Sequence, residues 1–245
     1  MCQTANREGW EADVTNIEET MSDIGIKPLL NKRLDQTKQQ VIKWIKLICK
    51  ENGESDDPLY LFIMGHGSDL GILDATKKEN FTDEMIIQEL CTPQMKNMLK
   101  LVIFVSCRGE KEPHKAIYFN DAVPIENDNI KNLIALYSCK KGYVSKRHYQ
   151  DGVPFVREFC KEFKTNFSKK TILSIFDDVR ETLSAYDIGD SNNVDVRSLS
   201  PELKQFDVSS KYLKVPLSEC ISENSNRPPS KRFRRAPLRF VENLK

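Results

Sequence analysis

Apolar residues along the chain fall into two alternating rhythms. Val14, Ile17, Met21 and Ile24 recur at the spacing of one helix face, and Val41, Trp44, Ile45 and Ile48 repeat the pattern. Between them GIKPLLN, residues 25–31, reads as a short strand. LYLFIM, residues 59–64, is an unbroken apolar run followed by Gly65, His66 and Gly67, which predicts a strand covered on both sides with a sharp turn at its tip. Residues 70–82, LGILDATKKENFT, suit a hairpin, after which Thr82, Asp83 and Glu84 cap and charge a helix carrying Ile86, Ile87 and Leu90. A second buried strand, LVIFV, runs into Ser106, Cys107, Arg108 and Gly109. The polar stretch 109–131 separates it from NLIALYSC, a third. Two further amphipathic helices follow, on Val156, Phe159, Cys160 and Phe163 and on Ile172, Ile175, Phe176, Val179 and Leu183. SSKYLKV, residues 209–215, predicts a last short strand.

This alternation of strand and helix favours an α/β fold, with a mostly parallel sheet between two layers of helices. Such sheets bind ligands beyond the carboxyl ends of their strands, and His66 and Cys107 both stand at such ends. Gly109 would let the chain leave without crowding a site there. Residue type alone leaves two readings open, because a cysteine at a strand end also serves as a small core hydrophobe and a histidine as a satisfied polar tip. His114 and His148 end no buried strand and read as surface residues.

Composition narrows the class. At 245 residues and 39% hydrophobic content, the chain can bury the core of one α/β domain or two small ones. Its 37 basic and 36 acidic residues nearly cancel, giving no sign of a nucleic-acid partner. No run approaches the roughly 18 apolar residues of a membrane span, so a soluble, cytoplasmic protein without a membrane partner is expected. Seven cysteines, at positions 2, 49, 91, 107, 139, 160 and 220, form no CxxC pair and read as free thiols in a reducing compartment. NRPPSKRFRRAPLR, residues 226–239, has no structural period and predicts a disordered tail. Its run Lys231, Arg232, Arg234 and Arg235 suits either a nuclear import signal or a solvated tail.

Read together, MGHG, SCRGE and YSCKKGYVSKRHYQDGVPF resemble motifs of the caspases, cysteine peptidases that cut after aspartate. The caspase cysteine signature places a histidine about 50 residues upstream. Here His66 lies 41 residues before Cys107. The likeness extends from about Arg7 to Val215. It implies a three-layer caspase-like sandwich lacking the family's first strand, because six residues precede Arg7. It also implies a large-subunit-like half at 1–108 with His66 and Cys107, an intersubunit linker at 109–131, a small-subunit-like half at 132–217 and a basic tail at 218–245. Cys107 takes the place of the nucleophile and His66 that of the general acid and base. The amides of Gly67 and Cys107 take the oxyanion hole. Arg7, from REGWEADVTNIEETM, and Arg147, from the segment Ser145, Lys146, Arg147, would hold the substrate aspartate. No metal or cofactor is called for.

The chain departs from the pattern at three places. Val105 stands where the family has a glutamine donor to the substrate carboxylate, so Val105→Gln is expected to add several-fold to activity on aspartate substrates. Lys146 and Pro154 replace two pocket tryptophans, which favours acidic residues upstream of the cut. Processing would fall at Asp121, with Asp128 as the other site. Residues 209–215 would form an edge strand covered in a homodimer, or in a heterodimer with another caspase. The alternative is a weak or inactive homologue that regulates true caspases by binding them or their partners. A metacaspase fits less well, since its cysteine motif and acidic pocket do not match Arg108, Gly109 and Arg147.

Overall fold

The computed structural model describes residues 7–26, 33–52, 57–109, 130–148, 150–185 and 201–221. In chain order the elements are α1 (Trp10–Asp23), α2 (Lys38–Asn52), β1 (Leu59–Met64), β2 (Gly67–Ser68), β3 (Gly71–Leu73), β4 (Asn80–Phe81), α3 (Asp83–Leu90), β5 (Lys100–Val105), β6 (Leu133–Tyr137), α4 (Pro154–Asn166), α5 (Ile172–Ala185), β7 (Glu202–Phe206) and α6 (Ser210–Leu213). Short 3-10 turns occupy Pro93–Met95 and Leu217–Cys220.

The main sheet has the order β1-β5-β6-β7, with β1, β5 and β6 parallel and β7 antiparallel to β6. Strand side chains alternate between faces, and this alternation divides the interior in two. Leu101, Ile103, Val105, Ile134 and Leu136 meet Val14 and Met21 of α1 and the apolar stripes of α4 and α5. Leu59, Leu61, Ile63, Val102, Phe104 and Tyr137 meet Val41, Ile45 and Ile48 of α2 and Ile86, Ile87 and Leu90 of α3. The α/β class and the two helical layers read from the sequence are therefore present. On the first face Phe155, Phe159, Phe163 and Phe167 form a ladder at four-residue spacing, their successive ring centroids 6.0, 5.1 and 5.3 Å apart. Tyr60 and Phe62 of β1 meet its rings edge-on.

The hairpin is present as β3 and β4, to which β2 adds a third antiparallel strand. Thr82 caps α3 as expected, its hydroxyl accepting from the Met85 amide at 3.2 Å. At the opposite end of the sheet Lys100 is 1% exposed. Its ammonium donates to the carbonyls of Met95 at 2.6 Å and Met98 at 3.0 Å, and burial draws it down to about 8.

The expected strand at 209–215 is corrected. Ser210–Leu213 is a turn of helix, closed by the Lys214 amide donating to Ser210. Tyr212 is buried there, and its hydroxyl donates to the Asn97 carbonyl at 2.7 Å. The last strand is Glu202–Phe206 instead. Its charged Glu202 and Lys204 hide the apolar pattern, as a half-buried marginal strand permits. Of GIKPLLN only Gly25 and Ile26 are described, and they close α1 by donating to Ser22 and Met21. The tail boundary at 218 moves outward, because the Ser218 amide donates to the Phe167 carbonyl and Leu217 is buried. Residues from 222 onward lie outside the described residues, as do Asp121, Asp128 and His114.

Candidate active site

The parallel register of β1 and β5 pairs Met64 with Val105. The Gly65 amide extends that ladder by donating to the Val105 carbonyl at 3.1 Å. Two residues beyond each member of the pair stand His66 and Cys107, so neighbouring parallel strands deliver them to the same end of the sheet. His66 is exposed, and its carbonyl accepts from the Leu73 amide at 2.9 Å, which anchors the turn on β3. Cys107 is half-buried. The two turns touch at Gly67, where a β-carbon would lie 2.3 Å from the Cys107 carbonyl oxygen. Only glycine permits that approach.

The loop after β6 closes over the thiol. The Ser145 amide donates to Cys107 Sγ at 3.3 Å, and the Ser145 carbonyl lies 3.9 Å from the same sulfur. Ser145 is itself held by the Ser138 hydroxyl, 2.8 Å from its own. Further along, the Arg108 amide donates to the Tyr143 carbonyl at 2.8 Å, and the Gly142 amide returns the bond to Arg108 at 2.7 Å. Gly109 packs so closely that a β-carbon there would meet Gly142 at 2.4 Å. What Gly109 accommodates is the backbone of this second loop, and the expectation that it spares the site from crowding is corrected accordingly.

Arg108 turns away from the cleft. Its guanidinium lies 3.8 Å from the Tyr137 ring centroid, pairs with Glu202 of β7 and reaches Asp83 of α3 at 3.6 Å. One side chain thus ties the Cys107 turn to the marginal strand and to the start of α3.

Both predicted carboxylate-binding arginines bear on a residue the sequence reading missed, Arg7 by contact and Arg147 through its charge. Arg7 is 2% exposed and Asp13 of α1 is 0% exposed, with 3.3 Å between guanidinium and carboxylate. The Val153 amide donates to Asp13 at 2.7 Å, drawing in the segment that follows Arg147. Removal from water pushes the Asp13 carboxyl up from its ordinary range, while the Val153 bond and the charges of Arg7 and Arg147 pull it back. The signal in the sequence was an acidic residue beside Val14 on the buried face of α1.

Val105 is 0% exposed and packs in the core with Val14 and Val153, so it contributes no surface to the cleft. Lys146 and Arg147 are half-buried, whereas His148 is exposed and lies 3.0 Å from Asp151. Pro154 is the first residue of α4. All six described cysteines are free. Burial pushes Cys49 up to about 11 and Cys139 and Cys160 up to about 12, which keeps these three as thiols in the core.

The family described as the caspase domain matches residues 1–217. The chain belongs to the caspase family. It is 27% identical to mouse caspase-1 over 199 residues, 71% of this chain and 48% of that protein. It is 22% identical to human caspase-14 over 217 residues, 83% and 87% of the two chains. The chain thus spans about half the length of the caspase-1 relative and most of the caspase-14 one. The crystal structure of caspase-1 from Spodoptera frugiperda superposes with a TM-score of 0.68 at 17% identity, covering 83% of this chain and 82% of that one. Its fold is the caspase fold. The family is one of cysteine peptidases, and the domain here is of the caspase type.

Proposed function

We propose that this caspase is an active cysteine endopeptidase that cuts protein substrates after aspartate in apoptosis-like proteolytic signalling. The observation that carries the reading is the delivery of His66 and Cys107 to the same end of the sheet by neighbouring parallel strands, with the Ser145 amide on the Cys107 sulfur. Arg7, in contact with Asp13, and Arg147, whose charge also bears on it, are the cations that would receive the carboxylate of a substrate aspartate. Arginine forks hold such a group by charge-assisted bonds.

In this reading the Cys107 thiolate attacks the scissile carbonyl, and the amides of Gly67 and Cys107 receive the developing oxyanion. His66 protonates the departing amine, leaving a thioester on Cys107. Water, deprotonated by His66, then releases the acid product and restores the thiol. Ser145 and Lys146 flank the bound peptide, and the ammonium of Lys146 favours acidic residues upstream of the cut. Processing at Asp121, ahead of the small Ala122, would divide the chain into its two halves. Pairing through β7 would cover the sheet margin in a homodimer or a heterodimer with another caspase. A cytoplasmic protein with import through Lys231–Arg235 completes the proposal.

The test is cleavage by the purified chain of fluorogenic peptides that carry aspartate, glutamate or asparagine at the cut, beside Cys107→Ala. Cleavage confined to aspartate and abolished in Cys107→Ala is expected. Absence of cleavage from the intact and the Asp121-cleaved chain alike would leave a regulatory homologue as the reading.

A further inference from the structure

Ser138 stands where β6 ends and is 2% exposed. Its amide donates to the Phe104 carbonyl at 2.9 Å, so its backbone is fixed against the strand that carries Cys107. Its hydroxyl meets the Ser145 hydroxyl at 2.8 Å. Ser145 belongs to the loop that crosses the cleft, and its amide points at Cys107 Sγ from 3.3 Å. Three groups therefore form a relay from the rigid sheet through a loop residue to the sulfur. Hydrogen bonding to the charged form of an acid favours that form, and the thiolate is the nucleophile.

We propose that Ser138 is a positioning residue, whose hydroxyl clamps Ser145 so that the Ser145 amide stabilises the Cys107 thiolate. The sheet supplies the rigidity and the loop supplies the donor. Among the described residues the hydroxyl pair is the side-chain contact by which Ser138 reaches the loop. Without it the Ser145 amide is free to turn toward water, and the sulfur loses a donor that no other described side chain replaces in the geometry around it. The inference shares with the proposed function the role of Cys107 as nucleophile and the place of Ser145 beside it.

The test reads the thiol directly and needs no peptide cleavage. Full-length protein is alkylated with iodoacetamide, which transfers its acetamide group to sulfur as iodide leaves, and each cysteine is followed by peptide mass spectrometry. Half-buried Cys91 and Cys220 in the same sample serve as internal standards. Ser138→Ala is expected to slow Cys107 about fivefold, the worth of one hydrogen bond, with Cys91 and Cys220 unchanged. Ser145→Ala should do the same, and the double variant should be no slower than either single one, because both remove one contact. Ser138→Thr, which keeps the hydroxyl, should restore the rate to within about twofold. Unchanged alkylation of Cys107 in both alanine variants overturns the proposal. So does a rate change shared by all three cysteines, which would mark general loosening, and so does additivity in the double variant. If the relay behaves as expected while the protein cleaves no peptide, the proposed function falls and this inference stands.

Discussion

Arg7 and Asp13 form a pair that is nearly removed from solvent, and breaking such a pair costs about 3–5 kcal/mol because one charge is left buried alone. Asp13→Ala is accordingly expected to lower Tm by roughly 10 °C in a chain of this size. Asp13→Asn should cost less, since its amide oxygen still accepts from Val153. A thermal melt in which Asp13→Ala behaves like the exposed substitution Lys161→Ala would remove the pair from the account. Arg147→Ala and Arg7→Ala are each expected to lower kcat/KM on aspartate peptides by orders of magnitude, measured per folded molecule because Arg7 also stabilises. If Arg7→Ala is silent while Arg147→Ala is severe, Arg7 is a structural partner of Asp13 alone. Burial changes the expectation for Val105→Gln: an amide forced into that core costs about 1–3 kcal/mol unless it finds a partner. Tm should fall, and any gain on aspartate peptides should stay within several-fold. A rise in Tm would show that the amide finds a buried acceptor.

Among the elements, those with a long apolar stripe were legible in the sequence. α4 presents phenylalanine at four-residue intervals, and β5 is apolar from Leu101 to Val105, so period and length decide both. The placement of His66 and Cys107 was legible for the same reason, because an apolar run that stops abruptly marks a strand tip. β7 was not, since Glu202 and Lys204 serve the Arg108 and Tyr137 cluster and interrupt its alternation. Nor was Asp13, whose partners lie before α1 and after β6 and share no local pattern with it. The 3-10 turn ahead of β5 offers a pH test. Lys100 drops to about 8 in the folded chain from an ordinary 10.5. Below pH 8 both folded and unfolded states hold the proton. From there to about 10.5 only the unfolded chain holds it, so rising pH favours the fold. Denaturation with and without Lys100→Met should show the wild-type protein gaining on the variant across that window. A difference that stays flat would mean that the Met95 and Met98 carbonyls keep the ammonium charged.

At the scale of the whole molecule, β7 lies at one margin of the main sheet among the described residues, half-buried along most of its length. Sedimentation at micromolar concentration is expected to find a dimer, and a monomer at every accessible concentration would sink the pairing proposed for this margin. The division of the interior by the sheet has a separate consequence. The chain has two tryptophans. Trp10 packs with the α1, α4 and α5 side, and Trp44 with the α2 and α3 side. Replacing either one by phenylalanine leaves a single fluorophore that sees one layer alone. β1, β5 and β6 supply side chains to both layers through alternate residues, so the two emission signals should change at the same denaturant concentration. Separate midpoints would mean that one helical layer can peel from a sheet still held by the other, and each indole would then time the departure of its own side.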